Sequence, residues 1–103
     1  MSTASTERST RVQGILERLG LVGDQPGAFA GAAIATSGRR VASHDPTTGE
    51  ELGAVLLADR GHYEQVVGAA QESFKSWRML PAPKRGEIVR QMGEALRTHK
   101  DDL

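Results

Sequence analysis

The sequence predicts a small α+β arrangement made of an N-terminal helix, a β-hairpin and two amphipathic helices. Three observations carry this. Val12, Ile15, Leu16 and Leu19 recur at helical spacing; the turn residues Asp45-Pro46-Thr47-Thr48-Gly49 separate two extended runs; and two apolar stripes of 3.6-residue period follow. With 103 residues there is room for one small domain at most, and a chain this short buries a smaller share of its surface than a longer one. Hydrophobic residues at 38% and charged residues at 25% lie in the globular range, so a folded segment is expected.

Residues 1–10 are rich in Ser and Thr and nearly devoid of apolar side chains, which predicts a mobile tail, because nothing there offsets the entropy of ordering. A short helix over 11–19 follows, with Arg11, Gln13, Glu17 and Arg18 between its apolar positions and Gly20 placed to stop it. The stretch GDQPGAFAGAAIATSG contains Pro26 and four glycines, so 20–38 reads as a loop with a short strand around Ala32 to Thr36. The hairpin occupies 39–57, its strands being Arg39 to His44 and Glu51 to Leu57.

Asp59 can accept hydrogen bonds from the free amides of a helix start, and a helix over 59–79 presents Tyr63, Val66, Val67, Ala70, Phe74 and Trp77 on one face. Pro81 and Pro83 interrupt the chain and pre-set the first turn of a last helix over 82–102, with Ile88, Val89, Met92 and Leu96 on one side. On its other side Glu87 with Arg90, and Glu94 with Arg97, stand at i,i+3 spacing and can pair weakly.

The 13 basic and 13 acidic residues cancel, so charge indicates no nucleic acid, anionic membrane or acidic ligand as a partner. Cysteine is absent, which removes a disulfide framework, a thiolate metal site and a cysteine nucleophile from these residues. The opening MSTASTERSTRVQG has Glu7 and Arg8 where a secretion signal needs an apolar run, and no stretch approaches the roughly 20 apolar residues of a membrane span. A soluble, cytoplasmic protein is the expectation.

No residue qualifies as catalytic, cofactor-binding or metal-ligating. Ser43, His44 and Asp45 form a hydrolytic trio on paper, but neighbours along a strand point to opposite faces. His62 and His99 lack a second His or a Cys at ligand spacing and read as solvated. Lys84-Arg85 with Arg90 and Arg97 is interrupted by Glu87 and Glu94 and has no interleaved aromatics, so it reads as a solvated helix face. Asp101 and Asp102 are adjacent, without the further oxygens of a calcium loop, and read as exposed charges. Glycines 23, 27 and 31 mimic a membrane helix-packing repeat, yet Pro26 defeats it and loop flexibility explains them.

The hairpin Asp45-Pro46-Thr47-Thr48-Gly49-Glu50, followed by Phe74 and Trp77, resembles the N-terminal region of the aldehyde dehydrogenase superfamily. The run Pro81-Ala82-Pro83-Lys84-Arg85-Gly86-Glu87-Ile88-Val89-Arg90-Gln91-Met92-Gly93-Glu94-Ala95-Leu96-Arg97 is similar to the antiquitin branch, which contains α-aminoadipic semialdehyde dehydrogenase. The likeness extends from about Thr36 to Leu103. It implies that the chain is an N-terminal fragment of an α/β Rossmann-type aldehyde dehydrogenase fold. The implied parent is a homo-oligomeric enzyme that takes a small-molecule aldehyde, passes hydride to NAD and works through a cysteine thiohemiacetal. The branch points to α-aminoadipic semialdehyde, from lysine breakdown, as the substrate.

The resemblance also implies that the nucleophile, the general-base Glu, the oxyanion-hole Asn and the nicotinamide site lie downstream of this region. With no cysteine and no G-x-G-x-x-G fingerprint between a strand and a helix, these residues alone are expected to bind no NAD and to be inactive. Their expected partner is the remainder of the dehydrogenase chain, on which the two helices lay their apolar faces. The alternative is a small non-catalytic interaction protein that docks through the same faces. Lys100-Asp101-Asp102-Leu103 reads as continuing helix without a Gly or Pro stop, which favours the fragment.

Overall fold

The computed structural model describes residues 3–103. In chain order its elements are α1 (Thr3–Arg18), β1 (Gln25–Pro26), β2 (Ala28–Phe29), β3 (Ala33–Ile34), β4 (Arg40–His44), β5 (Glu51–Leu56), α2 (Arg60–Trp77) and α3 (Ala82–Thr98). Among the described residues the content is α+β, with three helices and two small sheets.

The first helix corrects the expectation of a mobile tail over residues 1–10, since α1 is helical from Thr3; Met1 and Ser2 lie outside the described residues. Long-range ties make the difference. Ser9 donates its hydroxyl to Glu50, and Arg8 pairs with Asp45 at 3.7 Å. Two residues that look too polar to fold are thus fastened to the hairpin turn, about 40 residues away in sequence, while Thr10 returns its hydroxyl to the Thr6 carbonyl within the helix at 3.0 Å. The helix stops at Gly20, whose φ of 74° is one that L side chains rarely adopt.

The hairpin pairs Arg40 with Leu56, Val41 with Val55, Ala42 with Ala54 and Ser43 with Gly53, and an irregularity between Ser43 and His44 brings His44 opposite Glu51. Its turn is closed by Asp45, whose amide donates to the Glu50 carbonyl at 2.8 Å and whose carboxylate accepts the Thr47 amide at 2.8 Å. Within the expected loop 20–38, β1 pairs in parallel with β5, giving a sheet of order β1-β5-β4, and β2 pairs with β3 as a separate ribbon. The short strand expected around Ala32 to Thr36 corresponds to β3; β1 and β2, at two residues each, are too short to show a period.

At the junction of β1 and β5 lies what core there is. Thr36 is 8% exposed and Ala54 6%, and among the described residues no large side chain is fully buried. Thr36 Oγ1 donates to the Leu56 carbonyl at 2.6 Å and accepts the Gly27 amide at 3.1 Å. Two glycines let the strands close around this hydroxyl: a Cβ at Gly27 would stand 2.7 Å from the Leu56 oxygen, and one at Gly38 2.3 Å from the Leu57 oxygen. Gly27 therefore serves close approach and not loop flexibility, while Gly23 and Gly31 sit in fixed turns with φ of 75° and 76°.

The last helices begin where the sequence predicts, but α3 ends at Thr98, short of residue 102, and Lys100, Asp101 and Asp102 form turns. The amide of His99, at the C-cap, donates to the Ala95 carbonyl and the Lys100 amide to the Arg97 carbonyl, and the Asp102 and Leu103 amides both donate to the His99 carbonyl. The helices spread out. The radius of gyration is 17.9 Å where a compact chain of this length has ~13 Å, and the molecule measures 57 × 33 × 18 Å.

Candidate functional site

Reactive side chains are dispersed. Asp45 spends its carboxylate on the turn and on Arg8, so Ser43, His44 and Asp45 form no relay. Among the described residues no group of three or more His, Cys, Asp and Glu could hold a metal ion, and no helix is long and apolar enough to cross a membrane. The most concentrated charges are Arg40 with Asp24 and Glu51. The guanidinium donates to Asp24 from Nε at 2.9 Å and from Nη2 at 3.1 Å, and Nη1 donates to Glu51. The Arg40 bonds hold both carboxyls below their usual range, and together they raise the pKa of Arg40. Each charge is satisfied within the trio, which braces β4 to β5 and to the loop before β1.

Three expectations about single residues need correction. His62 is not simply solvated: its side chain is 21% exposed, and Nδ1 accepts the Asp59 amide at 3.1 Å while Asp59 Oδ1 accepts the His62 amide at 3.0 Å. That is a capping box with His in the place of Glu or Gln. Asp102 is not a free exposed charge, being paired with Arg18 at 2.8 Å. Arg85 does not belong to the solvated basic face, since its Nε is buried and lacks a hydrogen-bond partner among the described residues. Glu87–Arg90 and Glu94–Arg97 do pair, at 2.7 and 2.6 Å.

The Asp59 cap carries a pH dependence. The hydrogen bond from the His62 amide holds the Asp59 carboxyl below its ordinary value. A depressed folded-state pKa means that the contribution is present above the ordinary carboxylate range and is lost as pH falls through the folded value. Asp59→Ala is therefore expected to remove, at neutral pH, part of the roughly one third of helical ellipticity that the 18 residues of α2 supply, whereas Asp59→Asn retains most of it. Far-UV circular dichroism decides; equal ellipticity for Asp59→Ala and the unsubstituted chain would count against the role of the cap.

What the fold does concentrate is uncovered apolar surface. On α2 a strip runs from Phe29 and Val66 past Ala70, Phe74 and Trp77 to Leu80, joining two adjacent grooves. Phe74 remains 55% exposed, and Arg78 lies over its ring at 5.7 Å. On α3, Met92 and Leu96 are each 63% exposed, and with Leu19, Ala95, His99 and Leu103 they line a cup of almost wholly apolar walls. α2 packs on β2, but α3 makes at most marginal contact with any element. Two helices built to be covered on one side are left bare there.

The description "Aldehyde dehydrogenase family" matches residues 33–103, the part of the chain that includes β3 to α3. The chain belongs to the aldehyde dehydrogenase family. An "Aldehyde dehydrogenase family 7 member A1" of Pisum sativum is 41% identical over 87% of the chain and 18% of its own length. Another of the same description, from Malus domestica, is 38% identical over 80% of the chain and 16% of its own length. An "Alpha-aminoadipic semialdehyde dehydrogenase" of Rattus norvegicus is 39% identical over 80% of the chain and 15% of its own length. The chain thus spans less than a fifth of the length of these aldehyde dehydrogenase relatives.

The nicotinamide dinucleotide implied by an aldehyde dehydrogenase does not fit the residues present. β5 enters α2 through Leu57-Ala58-Asp59, which has no glycine to let the backbone approach a pyrophosphate. Asp59 accepts the His62 amide at that helix start and would repel a phosphate. α3 begins behind Pro81, with no side-chain cap and no strand before it. What this part of the family chain offers is surface.

Proposed function

We propose that these residues form the N-terminal structural part of an NAD-dependent aldehyde dehydrogenase of Rossmann-type fold. They contribute no catalytic or cofactor-binding side chain, and they lay α2 and α3 on the rest of the polypeptide. The whole enzyme oxidises an aldehyde to a carboxylate, with α-aminoadipic semialdehyde of lysine breakdown as the favoured substrate, and it works in the cytoplasm as a homo-oligomer. The names of the relatives and their identity to this chain support the activity and the substrate.

One observation carries the structural role. The accessible surface is 8106 Å², whereas a compact monomer of 11.0 kDa exposes ~5,600 Å², an excess of roughly 2,500 Å². A self-sufficient interaction module would bury its own core and present one patch; among the described residues of this chain only Thr36 and Ala54 are buried, and several apolar faces stay exposed.

The test is to read the coding sequence past the Leu103 codon, express the longest product and follow NADH formation with α-aminoadipic semialdehyde and other small aldehydes. Turnover by the long product and none by the 103-residue chain is the expected result. Turnover by the 103-residue chain alone, or a reading frame with no cysteine-bearing dehydrogenase domain, overturns the reading.

A further inference from the structure

α3 has a definite direction although almost nothing packs against it. At its far end Arg18 grips Asp102: Nε donates to both carboxylate oxygens at 3.1 Å, and Nη2 donates to Oδ1 at 2.8 Å. Among the described residues this is the one side-chain hydrogen-bonded tie between α3, with the turn behind it, and any other element. Such a fork fixes orientation as well as distance, unlike the single contact of an ammonium. Asp102 is itself held, because its amide donates to the His99 carbonyl at 3.1 Å and its side chain is only 22% exposed. Immediately beside the fork, Leu19 and Leu103 complete the apolar cup with Met92, Ala95, Leu96 and His99.

We propose that the Arg18–Asp102 pair is a clasp that sets the direction of α3, so that the cup beside it receives an apolar side chain from the rest of the dehydrogenase polypeptide. This rests on the reading that the remaining polypeptide covers the helices. Two facts favour that occupant over a second copy of these residues. The excess surface of roughly 2,500 Å² is about three times what one partner loses in an interface of standard size. The matched region is also only 18% of the Pisum sativum relative, so the bulk of such a polypeptide lies elsewhere. The clasp adds little binding energy of its own, because the Arg18 side chain is 60% exposed and the pair is screened by water; its effect is to reduce the freedom that α3 loses when it docks.

The experiment is hydrogen exchange on the complete polypeptide carrying Arg18→Glu, Asp102→Arg or both. The expected result is protected α2 and α3 amides in the unsubstituted protein. Each single reversal should speed exchange in α3 by about three- to tenfold with α2 unchanged, and the double reversal should restore α3 to within about twofold. Single reversals that leave α3 unaffected, or a double reversal no better than the singles, overturn the clasp. Free exchange of both helices already in the unsubstituted polypeptide overturns the covering body itself, and the clasp with it, which separates the two failures.

Discussion

Purified alone, the 103-residue chain is expected to show helical far-UV circular dichroism, a flat near-UV spectrum, strong binding of a hydrophobic dye and no cooperative thermal transition. A folded domain of this size has a margin of about 5–15 kcal/mol. Each large apolar side chain left in water forgoes about 1.5–3 kcal/mol, and Tyr63, Phe74, Val89, Met92 and Leu96 are all more than half exposed. A handful of such side chains is comparable with the whole margin. Helix formation survives better than packing, because Asp59, Pro83 and the i,i+3 ion pairs act locally. A sharp near-UV spectrum with a single steep melt would mean that the chain packs on itself in a way this structure does not have.

The second large effect is expected at Gly38. Its alanine variant would place a methyl group 2.3 Å from the Leu57 oxygen and 3.0 Å from the Leu57 carbonyl carbon, both backbone atoms that cannot rotate away. The chain must then separate from β5 at the point where the Gly38 amide donates to Leu57 and the Leu57 amide donates to Arg39. A cost of about 2–4 kcal/mol follows, as for other overpacked backbone sites. Thr36→Val acts on the same junction more mildly, by about 1–3 kcal/mol, because it deletes the hydroxyl that joins the Leu56 carbonyl to the Gly27 amide. Gly53→Ala is the control, since an added Cβ there meets nothing within 4 Å. Hydrogen exchange at the Leu57 amide in the complete polypeptide reads all three. Equal protection in Gly38→Ala and Gly53→Ala would show that the β5 junction tolerates what its geometry forbids.

The sequence is most legible where the determinants are local. The turn Asp45 to Gly49, the cap at Asp59 and the stripes through Phe74 and Leu96 each announce an element within a few residues, and the structure has those elements. It is least legible where a partner sits far along the chain. Ser9 and Arg8 look like tail residues until Glu50 and Asp45 are brought to them, and Asp102 looks solvated until Arg18 arrives. His62 left a readable trace, because Asp59 to His62 has the spacing of a capping box, but imidazole is not the usual acceptor at that position. The uncovered faces on α2 and α3 are a different case. An amphipathic stripe states that a helix will be covered and is silent about the cover.

The Arg18–Asp102 tie also bears on the order of events during synthesis. Its two residues are 84 positions apart. At ~5–20 residues per second, α1 leaves the ribosome roughly 4 to 17 s before its anchor is made. The hairpin and α2, whose contacts are nearer in sequence, have time to form in that interval. For those seconds the apolar side of α1 at Val12, Ile15 and Leu16 has only the sheet to lean on, and the nascent chain is at its most attractive to a chaperone.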